Sequence, residues 1–307
     1  MEIQKKQMQE AAILYYEKKL TQSEIAKVMN LTRQTVSKLL NDAVKEKIVE
    51  IKINNPQIAC SELEKAICEK FNLKNAIVSG ASTDNDSLCQ LMAVKSAASY
   101  IKSLIEKGNK KIAVSWGRTV SMLIEEFPET HTKGNVVFPL FGATDQEQSY
   151  FLSNELARSF ADKTDAKIKY AWFPYLPDNV EDCNLFKKTS YCRKLVQLWN
   201  NIDIAIAGIG NSDIIQAFSK TFGQNEKYLS AIGDISTHFF DRDGNFVELY
   251  ENTLCASVEN LKNAKETIAV ASGENKVEAI NGALKTGIID TLITDEYTAR
   301  KILDFNE

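Results

Sequence analysis

The chain has 307 residues, of which 44% are hydrophobic and 25% charged, with a formal net charge of −4. This is ordinary globular composition, long enough for about two domains, and it holds no apolar run near the roughly 20 residues that a membrane-spanning helix needs. Six cysteines without a C-x-x-C pair and only two histidines, His131 and His238, argue against a disulfide scaffold, a zinc site or a histidine-based triad.

The first residues show no apolar core followed by a small-residue cleavage site, so the expected compartment is the cytoplasm. The charge is uneven. Residues 1–55 carry 10 Lys/Arg against 7 Asp/Glu, a head of +3 on a body of −7. A basic head on an acidic body suits a nucleic-acid module joined to something else.

Three helices are predicted in the head. In Met8–Lys19, residues Ala11, Ala12, Leu14 and Tyr15 mark one apolar face. Thr21 opens T-Q-S-E, a capping box in which Thr21 and Glu24 satisfy each other's backbone amides, and Ile25, Ala26, Val28 and Met29 follow as the apolar face. Asn30 is the expected left-handed stop. Thr32 caps a third helix whose inner face is Val36, Leu39, Leu40, Ala43 and Val44.

Two helices joined by so tight a turn read as a helix-turn-helix, whose second helix enters a DNA major groove. Its outward residues are Arg33, Gln34, Thr35, Ser37, Lys38 and Asn41. Arg33 and Gln34 suit base edges, whereas the hydroxyls and Lys38 suit phosphates. The alternating stretch Ile48–Asn54 reads as a strand, a wing or hairpin edge. The alternative for the head is a helical bundle used only for protein contact or dimerisation.

Pro56 ends the head, and Cys60–Phe71 reads as a helix with Leu63, Ile67 and Phe71 on one side, a linker or subunit contact. From Asn75 onward short apolar runs alternate with helical segments: NAIVSG, KKIAVSW, GNVVFPLFG, IDIAIAGIG, ETIAVASG and IDTLITD. That alternation predicts a parallel sheet covered by helices, an α/β domain over residues 56–307.

In such sheets ligands bind at the carboxyl ends of the strands. The turns there are Gly117-Arg118-Thr119, Phe141-Gly142-Ala143-Thr144, Gly208-Ile209-Gly210-Asn211, Gly233-Asp234-Ile235-Ser236 and Ser272-Gly273-Glu274-Asn275-Lys276. Helix starts with unpaired amides, the cations Arg118 and Lys276, the hydroxyls of Thr119 and Ser272, and Asp234 as acceptor together favour a phosphorylated small molecule. For any one turn, glycine can simply serve tight backbone geometry. G-I-G-N-S-D lacks the third glycine of a dinucleotide loop. The loop FDRDGNF has Phe246 where a calcium loop needs glycine, so Asp243-Gly244 reads as a hairpin turn. Trp116 and the Phe239-Phe240 pair read as core, both histidines as structural, and WFPYLP as a rigid aromatic segment that lines the pocket or packs.

The head followed by SWGRT, PLFGA, GIG, GDISTHFFDRDG and ASGENKVEAINGALKTGIIDTLITDEYTARKIL resembles, in order and over nearly the whole chain, the SorC family of bacterial sugar-responsive transcriptional regulators. The resemblance implies a winged-type helix-turn-helix joined to a Rossmann-like effector domain related to sugar-phosphate isomerases. It implies a homo-tetramer binding operator DNA. It further implies that Gly117, Arg118 and Thr119 lie near the effector's phosphate, that Gly142 belongs to a turn the effector approaches, that Asp234 binds effector hydroxyls, and that Lys276, in the turn that holds Gly273, binds phosphate. Phe141 leaves no lysine amine in its loop for Schiff-base chemistry.

The expected function is a regulator, a repressor, of a sugar or nucleoside catabolic operon, answering to a phosphorylated sugar and needing no cofactor or metal. The competing class is a sugar-phosphate isomerase-like enzyme with an accessory head. Asp145, Glu147 and Asp234 are its available carboxylates, but no motif groups them.

Overall fold

A computed structural model describes residues 2–49, 60–80, 85–144, 152–216 and 229–305. The chain divides into two compact units, Met1–Pro56 and Gln57–Glu307.

The first unit is helical. Helix α1 (Glu2–Ala12) runs into a π-helical turn, Ile13–Glu17, so the first helix begins earlier than its apolar periodicity indicates. Lys19, at φ 58°, stops it. In α2 (Gln22–Val28) the capping box forms as its residues dictate: the Glu24 amide donates to Thr21 Oγ1 at 3.3 Å and the Thr21 amide to Glu24 Oε2 at 2.8 Å. Asn30 takes φ 55° and the Leu31 amide returns to the Ala26 carbonyl at 2.8 Å, a Schellman stop.

Helix α3 (Arg33–Lys45) starts at the Thr32 cap. Ala11, Ile25, Val36, Leu39, Leu40 and Ala43 close the small core. Tyr15, Val28 and Val44, expected on inner faces, are exposed; their helices present a narrower apolar stripe than the sequence periodicity allows. Ile48 and Val49 form a bend packed on this core, and the remainder of the expected strand, 50–54, lies outside the described residues.

The second unit is built on a sheet in the order β1-β10-β9-β5-β2-β3-β4, with every pairing on that path parallel. Its strands are β1 (Asn75–Ser79), β2 (Lys111–Val114), β3 (Val136–Pro139), β4 (Lys167–Ile168), β5 (Ile204–Gly210), β9 (Glu266–Val270) and β10 (Thr291–Asp295). All five residues of β10 are buried, as required of a strand covered on both faces.

The covering helices are α4 (Ser61–Phe71), α5 (Asp86–Ile105), α6 (Arg118–Glu126), α7 (Ser153–Thr164), α8 (Val180–Lys188), α9 (Ser190–Trp199), α10 (Val258–Lys262), α11 (Val277–Lys285) and α12 (Glu296–Asp304). Helix α4 packs into this unit, with Ile67 buried and Lys70 Nζ donating to the Ile302 and Leu303 carbonyls at 3.1 and 3.0 Å.

One departure from the parallel plan matters for the site. Beyond Gly208, β5 continues into an antiparallel excursion of β6 (Gly233–Ile235), β7 (His238–Phe240) and β8 (Phe246–Val247). The β7–β8 hairpin turns at Asp241–Asn245, with Gly244 at φ 80° as D-G predicts; the Asp241 carboxylate accepts the Asp243 and Asn245 amides at 3.0 and 2.9 Å, so the loop satisfies its own carboxylate. The β6–β7 connection is tighter: Ile235 pairs with His238, leaving Ser236 and Thr237 as the turn, at φ 50° and 71°.

Candidate functional site

Two strands leave the sheet in the same way. After β2, Gly117 adopts φ 113°, ψ 161° and caps α6; after β9, Gly273 adopts φ 113°, ψ 143° and opens the short turn Glu274–Lys276 that leads into α11. Side-chain-bearing residues essentially never occupy this region, so glycine is a backbone requirement at both strand ends. The turns bring Arg118 and Lys276 to one cavity of about 340 Å³, a volume in the range of small-molecule sites.

Third and fourth walls come from the end of β5 and from β6. Gly208 and Gly210 line the cavity, and Asp234 stands opposite Gly210 in the antiparallel register. Asn211 Nδ2 donates to the Asn275 carbonyl at 3.3 Å, tying the β5 end to the Lys276 turn. Helix α5 contributes Asp86 and Gln90, with Gln90 Nε2 3.5 Å from Thr119 Oγ1.

A further layer fixes the Ser272–Lys276 turn. The Gly273 amide donates to Thr298 Oγ1 at 2.8 Å, and Thr298 is held by the cap residue Asp295 through its amide at 2.9 Å and its hydroxyl at 2.5 Å. The T-D-E-x-x-A-R stretch thus shapes the cavity without lining it.

Of the charged residues that line the cavity, Asp234 is buried, Lys276 is half-buried, and Arg118, Asp86 and Asp213 are exposed. Asp234 is 3% exposed, and Oδ2 accepts the Thr237 amide at 3.0 Å. Burial pushes its carboxyl up to about 6, against the pull of the Thr237 amide, the Lys276 ammonium and the Trp116 indole. Lys276 is held below the usual lysine range by burial and by the like charge of Arg118, with Asp234 and Asp213 acting the other way. A buried carboxyl and a half-buried ammonium are thus each displaced toward the neutral form, as is common among groups at functional sites.

Of the residues singled out from sequence, Gly117, Arg118, Thr119, Gly208, Gly210, Asp234, Gly273 and Lys276 line this cavity together. Gly142 does not. A Cβ there would lie 2.5 Å from the Pro174 backbone, its amide donates to the Leu254 carbonyl at 2.9 Å, and its carbonyl accepts Ser153 Oγ at 3.1 Å; glycine lets these segments meet. Asp145 and Glu147 lie outside the described residues.

Trp116, read as core, is 5% exposed yet lines the cavity, edge-on to Phe141 at 4.8 Å. The W-F-P-Y-L-P segment packs: Tyr175 is buried, and Trp172 is exposed. His238 Nε2 donates to the Ala256 carbonyl at 2.8 Å, and His131 lies at the surface near Asp165. Asp86, Gln90, Met122 and Asp213 are lining residues that sequence reasoning missed, and Ser236 lines the cavity beside Asp234.

The head has its own candidate surface. Arg33, Gln34, Thr35, Lys38 and Asn41 are exposed on α3 and Ser37 is half-buried, opposite the buried stripe. The Thr35 hydroxyl lies 2.8 Å from Thr32 Oγ1, so it is already engaged with the cap, which leaves Arg33, Gln34 and Lys38 as the freer reach of this helix. Among the described residues no helix is long and apolar enough to cross a membrane.

Comparison with known proteins adds to this geometry. Residues 55–304 match the sugar-binding domain family model, and residues 7–46 match sigma-70 region 4. The chain is 32% identical over 306 residues to the sorbitol operon regulator of Klebsiella pneumoniae, covering 95% of this chain and 96% of that one. It is 28% identical over 312 residues to the deoxyribonucleoside regulator of Bacillus subtilis, covering 99% of each. The crystal structure of the full-length Klebsiella regulator SorC superposes with a TM-score of 0.72 at 29% identity, over 97% of this chain and 99% of that chain.

Proposed function

The chain belongs to the SorC family of sugar-binding transcriptional regulators, and from that premise we propose that it represses a sugar or nucleoside catabolic operon and releases the operator when a phosphorylated sugar binds. Residues 1–55 hold DNA through α3, and residues 56–307 hold the sugar and the contacts of a cytoplasmic homo-tetramer.

The observation that carries the ligand class is the convergence of Arg118 and Lys276 on one cavity, each delivered by a glycine-turned strand end. Backbone amides at the start of α6 and two cations suit a phosphate; Asp234 and the side-chain amides beside it suit the hydroxyls of a sugar. Regulation follows by linkage. Two heads on one palindrome must sit one helical turn apart, roughly 34 Å, so a ligand that prefers a different arrangement of subunits lowers DNA affinity by its own preference between the two arrangements.

The test is fluorescence anisotropy of the full chain on labelled DNA from upstream of its own gene, at fixed salt, with a panel of sugar phosphates and their unphosphorylated parents. The expected result is binding tighter than to random DNA, weakened by one phosphorylated sugar and not by its parent. Equal binding to both DNAs sinks the operator reading, and an equal effect of the parent sugar sinks the phosphate reading.

A further inference from the structure

We propose that Asp234 meets the phosphorylated ligand as a neutral carboxylic acid, taking up a proton from solvent as the ligand enters and presenting that proton to a ligand oxygen. This deepens, and rests on, the assignment of the cavity to a sugar phosphate.

The first ground is the way Asp234 is held. Its carboxyl is 3% exposed, with Oδ2 accepting the Thr237 amide at 3.0 Å. That amide is aimed by a turn in which Ser236 and Thr237 are both left-handed, at φ 50° and 71°, although neither is glycine and threonine is β-branched. Such a turn persists only where its surroundings over-determine it. On the other side, the space above Gly210 is filled by the Asp234 carboxyl itself. The carboxyl is thus packed between the Thr237 amide and the Gly210 backbone.

The second ground is the charge around it. Among the described residues, Arg118 on α6 and Lys276 on the turn after β9 are the cations of the cavity, and Asp213 after β5 and Asp86 on α5 are its other carboxylates. Behind the turn, burial keeps the Tyr175 phenol and the Cys255 thiol neutral, and burial lowers His238 on β7, which favours its neutral form. Of the charged groups of the cavity among the described residues, Asp234 alone is buried. A phosphate seated on Arg118 and Lys276 draws both cations to itself and leaves Asp234 facing a dianion in low dielectric. Burial has already brought its carboxyl to about 6, so the added anion moves its titration past neutrality.

The consequence for recognition is specific. With the carboxyl accepting the Thr237 amide and the Trp116 indole, protonation adds one donor, which suits an acceptor oxygen of the sugar beside its phosphate.

The test is calorimetry of the full chain at pH 7 in buffers of different ionisation enthalpy, with glucose phosphate, ribose phosphate and inorganic sulfate as probes. Sulfate does not change its charge near neutrality, so uptake seen with it belongs to the protein. The expected result is uptake of about one proton per bound anion, absent in Asp234→Asn. Binding without uptake in the unsubstituted protein overturns the proposal, whether or not the variant folds. Uptake that survives in Asp234→Asn assigns the proton to Lys276 and overturns it as well. If none of the probes binds, the phosphate reading of the cavity falls together with it.

Discussion

Gly210 and Asp234 face each other across the antiparallel junction of β5 and β6, and the Asp234 carboxyl occupies the space that a side chain on Gly210 would need. Gly210→Ala is therefore expected to displace the carboxyl from its hydrogen bond to Thr237. The cost to stability is on the order of 1–3 kcal/mol, the usual range for overpacking. The response to sugar phosphate weakens at least tenfold, read by ligand titration of operator binding. An unchanged response would remove Asp234 from the site.

Asp234 sets a pH dependence of stability. Its carboxyl titrates at about 6 in the folded chain against 3.8 ordinarily, so the folded form binds the extra proton and the unfolded form does not. Stability from this group is present at low pH and is lost as pH rises from about 4 to about 6. Asp234→Asn, which never ionises, should raise the thermal midpoint at pH 8, by an amount on the order of 2–3 kcal/mol in free energy, and the gain should vanish near pH 4. A gain equal at both pH values would show that the carboxyl titrates normally.

Lys276→Met keeps the length and apolar stem of the side chain and removes its charge. The loss of a charge-assisted contact to phosphate, about 1.5–3 kcal/mol, weakens effector affinity tenfold or more. The same titration without ligand reports whether the head still binds its DNA.

Arg33 is the exposed cation nearest the start of α3. If it reads a base, Arg33→Ala costs about 1–3 kcal/mol on operator DNA and less on random DNA. Equal losses on both would demote it to a phosphate contact, and the salt dependence of binding would then fall by about one counterion.

Thr21 closes the amino end of α2 through its side chain. Thr21→Ala is expected to destabilise the head by about 1 kcal/mol, measured on residues 1–56 as a local loss of hydrogen-exchange protection in the full chain. Protection unchanged in α2 would mean that packing alone holds the helix.

Most of the sheet and much of the cavity were legible because parallel buried strands are continuous apolar runs and their ends carry glycine. Gly117 and Gly273 stand where the backbone demands them, and their neighbours Arg118 and Lys276 follow by one to three residues. Gly142 has the same look and a different duty, because close approach of Pro174 and a ligand both call for a missing side chain. The Ser236–Thr237 turn left no trace, since neither residue advertises a left-handed backbone. Asp86 and Gln90 were invisible for another reason. They reach the cavity from α5, after β1, and β1 pairs with β10, a neighbour that chain order does not reveal. Trp116 reads as core in the sequence, and it is buried while also lining the cavity.

The pairing of β1 with β10 joins Asn75 to Thr291, and α4 is pinned to α12 through Lys70. A ribosome makes those partners more than two hundred residues apart, at roughly 5–20 residues per second. The head, a compact unit within the first 56 residues, is made early in synthesis. The edge of the sheet and the Thr298 support beneath Gly273 must wait for the distant segment. During synthesis there is thus an interval in which a finished DNA-binding head trails a body with no sensor.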